Sequence, residues 1–364
     1  MATKSHAEAF REIYWNTQDI AAFIGAGCSD ALRIPLWDKM LVELNRLFRH
    51  YNTEDELLLS IESEGQAKVA ENIEKKAPDR TVYAAAITRL TKPQRCYYTS
   101  LHIEILRLTK TIVTTNYDTS FEEALDAIAK YTNSTQGYES QTVGSMKTKD
   151  LGRSRCIYHI HGKHAGDNYI LSTPSYQSQY ENNGSGLARL VTTLFAEYNV
   201  LFIGFSFNDE YFTKFLRTAM RDVAKDSMRK EALPDHYCIL SDDLMREYML
   251  PQELSDMAVI NINDLVTHGL LETINVAGIK DEVFVFKKGA DKLLASAPGS
   301  IDSIKALDKK IKDLANNRKI LALIDDLKIK PIYFKGKNYL DIEHILRNIM
   351  EPMVATVASS FTPS

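Results

Sequence analysis

No run in the 364 residues approaches the ~20 consecutive apolar positions that a bilayer crossing demands. The opening MATKSHAEAFREIYW lacks the apolar core of a secretion signal, so a cytoplasmic location is expected. Neither sign of charge dominates: 44 Lys plus Arg face 48 Asp plus Glu, a net charge of −4. That balance argues against direct binding of nucleic acid through a broad basic surface. Cysteine is scarce and scattered, at Cys28, Cys96, Cys156 and Cys238, with no CxxC pair. Neither a disulfide framework nor a four-cysteine zinc site is indicated, and no metal is expected. Repeats and low-complexity segments are absent as well. What is present is ordinary globular material, 45% hydrophobic, long enough for one large domain and a smaller appended one.

The first 18 residues read as a helix, and DIAAFI at 19–24 as a short strand ending on Gly25-Ala26-Gly27. Apolar positions from Trp37 to Phe48 recur at helical spacing, giving strand, glycine turn and helix. Helical patterns fill residues 53 to 110, a subdomain of about 50–110 inserted after the first unit. TIVTT at 111–115 is β-branched throughout, as in a parallel strand buried on both faces, and stops at Asn116-Tyr117-Asp118 before a helix. A polar stretch from Tyr131 to Lys149 precedes CIYHI at 156–160, which ends on His161-Gly162. NVLFIGF at 199–205 ends on Ser206, and a helix follows Asp209. HYCIL at 236–240 and MAVINI at 257–262 are further strands around a helix near LMREYMLPQEL. Alternation of this kind predicts an α/β fold, a doubly wound, mostly parallel Rossmann-like sheet with an inserted helical subdomain. After the break SAPGS the chain is charged and helical in period, so the expected division is a domain over 1–295 and a small C-terminal helical region over 296–364.

In open α/β sheets ligands bind beyond the carboxyl ends of the strands. Four strand ends carry chemically distinctive residues, Gly25 to Ser29, Thr115 to Asp118, His161-Gly162 and Gly204 to Ser206, and all are expected to line one crevice. Glycines in the first turn either let backbone approach a pyrophosphate or serve the turn's sterics alone. The dinucleotide fingerprint of hydride-transfer enzymes wants a third glycine, and Asp30 stands there. Asp118 and Asp209 can cap the helices that follow them, and Asn261 can be a turn residue. His159, His161 and His164 suggest a metal cluster by spacing, but no carboxylate or cysteine completes it convincingly, and His159 reads as a buried, hydrogen-bonded neighbour.

Taken in order, Phe23-Ile24-Gly25-Ala26-Gly27-Cys28-Ser29, Thr114-Thr115-Asn116-Tyr117-Asp118, His161-Gly162 and Ile203-Gly204-Phe205-Ser206 resemble the motifs of the sirtuin superfamily. Residues 163 to 203 lack the cysteines of a deacylase zinc ribbon. With ILSTPSYQSQY and IGFSFND, this brings the resemblance closest to the divergent sirtuin-like domains of bacterial antiphage defence effectors. Ile34-Pro35-Leu36-Trp37 fits too, although Arg33 stands where glycine is usual. The resemblance implies an NAD+ glycohydrolase that cleaves the nicotinamide–ribose bond and depletes NAD+. It implies a homo-oligomer partnered by a HerA-like ATPase or a short Argonaute. His161, Asn116 and Asp118 would carry the chemistry, and Gly25, Ala26, Gly27, Ser29, Thr115, Gly204, Ser206 and Asn261 would hold NAD+. A binding scaffold that hydrolyses nothing, and a protein deacylase, are the alternatives.

Overall fold

A computed structural model describes residues 4–245, with short breaks at 18, 95, 134–136, 149–150, 153, 165, 167, 182–184 and 226–232, and then 271–274, 283–286, 313, 316–335 and 339–351. Asn261, the strand expected at 257–262 and most of the helix expected near 244–254 lie outside the described residues.

In chain order the elements are α1 (His6–Asn16), β1 (Ile20–Ile24), α2 (Trp37–Phe48), α3 (Glu54–Glu64), α4 (Gln66–Glu74), α5 (Arg80–Leu90), α6 (Ser100–Leu108), β2 (Thr111–Thr114) and α7 (Ser120–Thr132). There follow β3 (Tyr138–Thr142), β4 (Arg155–His159), α8 (Thr173–Tyr180), α9 (Gly186–Glu197), β5 (Asn199–Ile203), α10 (Glu210–Lys225) and β6 (Tyr237–Ser241). The hairpin strands β7 (Leu271–Ile274) and β8 (Val283–Phe286) follow, and after helical residues 316–326 come β9 (Lys330–Phe334) and α11 (Tyr339–Met350).

The chain divides into two units, one of Met1–Ile239 with Lys330–Ile332 and Asn338–Ser364, the other of Leu240–Ile329 with Tyr333–Lys337. Seven strands form a sheet in the order β3-β4-β2-β1-β5-β6-β9, and the pairings from β3 through β6 are parallel. The chain builds outward from β1 on one side through β2 and β4, then crosses to β5 on the other side. The order therefore reverses at β1 and β5, where such sheets place their ligand crevice. Central strands β1 and β2 are buried at every position, which is why their sequences read as unbroken apolar or β-branched runs.

Four strands lie where the sequence reading placed none: the hairpin β7 and β8, and the two sheet edges β3 and β9. The polar stretch 131–149 contains edge strand β3, whose YESQT has a single buried residue, Gln141, and so no apolar run to reveal it. The C-terminal region, read as helical, contains β9 at the opposite edge. Pro331 is tolerated there because an edge strand leaves one row of N–H groups unpaired.

The inserted helices pack on α2. Leu41, Leu44, Val69, Ile73 and Ile87 are fully buried together with Tyr169 and Leu171. Each such aliphatic side chain contributes roughly 1.5–3 kcal/mol of burial. Because Tyr169 and Leu171 belong to the segment between His161 and α8, this core also fixes the approach to the site. Thr88 Oγ1 and Tyr169 Oη share a 2.8 Å hydrogen bond, and Tyr117 Oη donates to Ile170 O at 2.7 Å. Helix α11 returns to the same unit: Arg347 pairs with Glu104 on α6 at 2.9 Å, and Trp15 Nε1 on α1 donates to Ile349 O. Among the described residues no helix is long and apolar enough to cross a membrane.

Candidate functional site

The turns after β1 and β5 interlock. Residues Ala26–Leu32 wind into a short 3-10 helix in which Gly27 N donates to Gly204 O at 2.9 Å, and Gly25 N donates to Ile203 O at 3.0 Å. Gly204 has φ 63°, and a Cβ there would lie 2.6 Å from Cys28 N; one on Gly25 would lie 2.4 Å from Gly204 O. These glycines are therefore demanded by the contact between the turns themselves. Gly204→Ala is expected to destabilise the fold by roughly 2–4 kcal/mol, read as a lower denaturant midpoint with unchanged m, because both backbone strain and a backbone clash oppose it. Arg33 ends the 3-10 turn at φ 58°, adopting the left-handed conformation that glycine would otherwise supply. Burial pushes the Cys28 thiol well up, and its Sγ donates weakly to Ile203 O.

Beyond β2, Asn116 is 8% exposed. Its Nδ2 donates to Gly25 O at 3.1 Å and to Ser29 Oγ at 3.0 Å, and Ser29 Oγ donates to Asp118 Oδ2 at 2.8 Å. The other Asp118 oxygen accepts from Ser120 N at 3.1 Å at the start of α7. Both oxygens of Asp118 are thus taken by the protein, one at the helix start and one in a chain that runs through Ser29 to Asn116. The outcome is a carboxamide held from one side, whose Oδ1 is buried with no hydrogen-bond partner. A buried acceptor left open is costly unless something else fills it. Ser29→Ala would leave both Asp118 Oδ2 and Asn116 Nδ2 a partner short, and a loss of about 1–3 kcal/mol is expected in equilibrium unfolding.

Strand β4 ends at His159, and the chain turns at His161-Gly162, where Gly162 takes φ 99° and a Cβ would meet Asn168 O at 2.1 Å. His161 is 5% exposed. Its Nε2 lies 2.7 Å from Tyr180 Oη and 3.9 Å from Asp209 Oδ2, and Tyr176 Oη donates to the same Asp209 oxygen at 2.7 Å. Tyr176 and Tyr180, one turn apart on α8, stack on each other and lie roughly perpendicular to the His161 ring; Trp37 and Tyr211 stack on Tyr176. Burial lowers the His161 pKa to about 3, so the ring is neutral at physiological pH. Asp209 Oδ1 accepts from Phe212 N at 2.9 Å, capping α10 as its position suggests. Burial raises its pKa, against hydrogen bonds from Phe212 N, Tyr176 and Tyr211 N.

The remaining expected residues divide. Thr115 is half-buried, its N donating to Ile24 O at 3.2 Å beside the Asn116 cluster. Ala26 and Ser206 are exposed, and among the described residues Ser206 Oγ accepts a long 3.4 Å contact from Asn208 N. His159 and His161, two residues apart, go to different partners: His159 Nε2 meets Glu122 Oε1 at 2.9 Å and its Nδ1 meets Asn116 O at 3.1 Å. Burial pushes the Glu122 carboxyl up, but His159, Ser140 and Lys163 together hold it at about 2. Among the described residues no group of three or more His, Cys, Asp or Glu could hold a metal. The tyrosines of α8 and Trp37 were not singled out as site residues by sequence; the i, i+4 spacing of Tyr176 and Tyr180 was the available signal.

Residues 110–262 match the SIR2-like domain family, a span that holds β2 through β6 and begins after the Gly25–Ser29 turn. The chain is also 28% identical over 244 residues to the NAD(+) hydrolase ThsA of Acinetobacter baumannii (strain 532279), an alignment covering 65% of this chain and 45% of that protein. The chain thus spans less than half the length of this curated relative.

Proposed function

We propose that the chain hydrolyses NAD+ at the nicotinamide–ribose bond, giving nicotinamide and ADP-ribose. The observation that carries the reading is the Asn116 carboxamide, held by Gly25 and Ser29 with Oδ1 unpartnered, on the strand next to the one that delivers a neutral His161. The SIR2-like match and the hydrolase relative support it. In the reaction the C1′–N bond breaks and its electron pair leaves with neutral nicotinamide, so positive charge builds on the ribose. Asn116 Oδ1 is an acceptor for the nicotinamide amide, a ribose hydroxyl or the attacking water. Water oxygen bonds to C1′ and its proton passes to His161, which is unprotonated and able to accept it. Asp118 acts through Ser29 by holding Asn116 in place.

Depletion of NAD+ in a phage-infected cell, by a homo-oligomer acting beside a HerA-like ATPase or a short Argonaute, extends the proposal on the strength of the motif resemblance. The burial of His161 under α8 favours a second reading, a subunit that binds NAD+ or ADP-ribose without turnover. Incubating the full chain with NAD+ and quantifying nicotinamide and ADP-ribose, with and without a candidate ATPase, separates the two. Release supports the hydrolase; saturable binding of NAD+ with no release under either condition replaces it with the binding subunit.

A further inference from the structure

We propose that Asp209 is a positioning residue that fixes the tautomer of His161, keeping the proton on Nε2 and leaving Nδ1 as the basic nitrogen. The inference rests on the hydrolase reading for its catalytic meaning, but its physical content is a statement about one imidazole. Nε2 is the nitrogen that faces protein, 2.7 Å from Tyr180 Oη and 3.9 Å from Asp209 Oδ2. Nδ1 has no partner among the described residues, so it is the nitrogen left for a substrate or water.

A neutral imidazole carries one proton, and the tautomer is set by what its other nitrogen meets. The groups that meet the ring are Tyr180, Tyr176 and Asp209, and those that act on Asp209 in turn are Tyr176 and Tyr180 from α8, Tyr117 from the turn after β2, and Glu210, Tyr211 N and Phe212 N from the start of α10. Burial keeps Tyr117, Tyr176 and Tyr180 in the phenol form. Among the described residues Asp209 is the carboxyl group that meets Nε2, with an 11% exposed side chain. Its two oxygens are divided between tasks: Oδ1 caps α10 through Phe212 N, while Oδ2, oriented by the Tyr176 hydroxyl, faces the histidine. A negative charge at that distance favours hydrogen on Nε2, which then donates to Tyr180 Oη. When Nδ1 takes a proton from water, the resulting imidazolium has its second N–H already aimed at the carboxylate side.

Capping and tautomer control can be pulled apart, because Asn and Ser also cap helices well. The test is ¹⁵N NMR of the full chain labelled at histidine, with the His161 signals assigned by their loss in His161→Gln. Wild type is expected to show the Nε2–H form, and Asp209→Asn, which keeps an acceptor for Phe212 N and for Tyr176, a shift toward Nδ1–H with melting temperature nearly unchanged; Asp209→Ser is expected to shift the tautomer likewise while lowering the melting temperature, because the Tyr176 hydroxyl loses its acceptor. Tyr180→Phe, which leaves the charge in place, is expected to keep the Nε2–H form. Nδ1–H in wild type overturns the proposal, as does a tautomer lost in Tyr180→Phe but retained in Asp209→Asn. With NAD+, Asp209→Asn is expected to lower kcat about 100-fold with KM little changed. Absence of nicotinamide release from wild type removes the hydrolase reading while the NMR result still decides the tautomer. Release that proceeds equally in wild type and Asp209→Asn, with an unaltered tautomer, removes only the role of Asp209.

Discussion

His161→Ala is expected to lower nicotinamide release by about 10²–10⁴-fold, the usual contribution of a positioned general base. Asn116→Ala is expected to cost about 10²–10³-fold, as for loss of one preorganised polar group at a centre of developing charge. The two losses should differ in kind. Asn116 is anchored to Gly25 O and to Ser29, so its removal also releases the 3-10 turn and leaves Ser29 with Asp118 alone; KM for NAD+ should rise along with the fall in kcat. Among the described residues no hydrogen bond or ion pair joins His161 to another expected site residue. Its polar partners are Tyr180 and Asp209, and its ring lies against Tyr176 and Tyr180, so its loss should fall on kcat. Nicotinamide measured over time at saturating NAD+, with circular dichroism to confirm the fold, checks both. Turnover within tenfold of wild type in the two variants would remove these residues from the site and with them the proposed chemistry.

The strands that carry these residues were visible in sequence for a physical reason. β1, β2, β4 and β5 sit in the middle of a parallel sheet with both faces covered, so IAAFI, TIVT, RCIYH and NVLFI are apolar or β-branched runs, and each polar motif begins where its run stops. The edges carried no such signal. β3 needs only Gln141 buried, and β9 begins with Lys330-Pro331 inside a charged region. The roles within the site were legible only as residue types. That Asp118 reaches Asn116 through a serine nearly 90 positions away is a tertiary fact, fixed by the pairing of β1 with β2. That the Gly25 and Gly204 turns touch follows likewise from the β1–β5 register, so the steric explanation of these glycines became visible only once those strands were neighbours. Asp209 was read as a helix cap, and the cap is present on Oδ1; the use of Oδ2 depends on where α8 lies, which no local pattern encodes.

The same burial that keeps His161 neutral should make the fold sensitive to mild acid. Three histidines of the larger unit are held far below their ordinary value of 6.5 by burial: His161 to about 3, His102 to about 4 and His236 to about 4. Below pH 6.5 the unfolded chain takes up these protons and the folded chain does not, so protonation drives unfolding. Stability from this source is complete above pH 6.5 and is lost as pH falls toward 4. Each histidine contributes up to ~1.4 kcal/mol per pH unit, so a loss of roughly 3–6 kcal/mol is expected between about pH 6.5 and 5, a large share of a typical domain's stability. Glu122, held at about 2 against an ordinary 4.5, adds its loss only below pH 4.5, and Asp209, raised by burial, opposes the trend. Urea unfolding at several pH values measures the slope. His102→Gln gives an internal check: Nδ1 of His102 accepts from Thr99 N at the third position of α6, where glutamine completes the same capping box without titrating. That variant should keep the neutral-pH cap and flatten the slope by up to ~1.4 kcal/mol per pH unit. A wild-type stability unchanged from pH 7 to 5 would mean that these rings are solvated in the folded protein. His161 would then titrate near its ordinary value and the closed arrangement under α8 would be wrong.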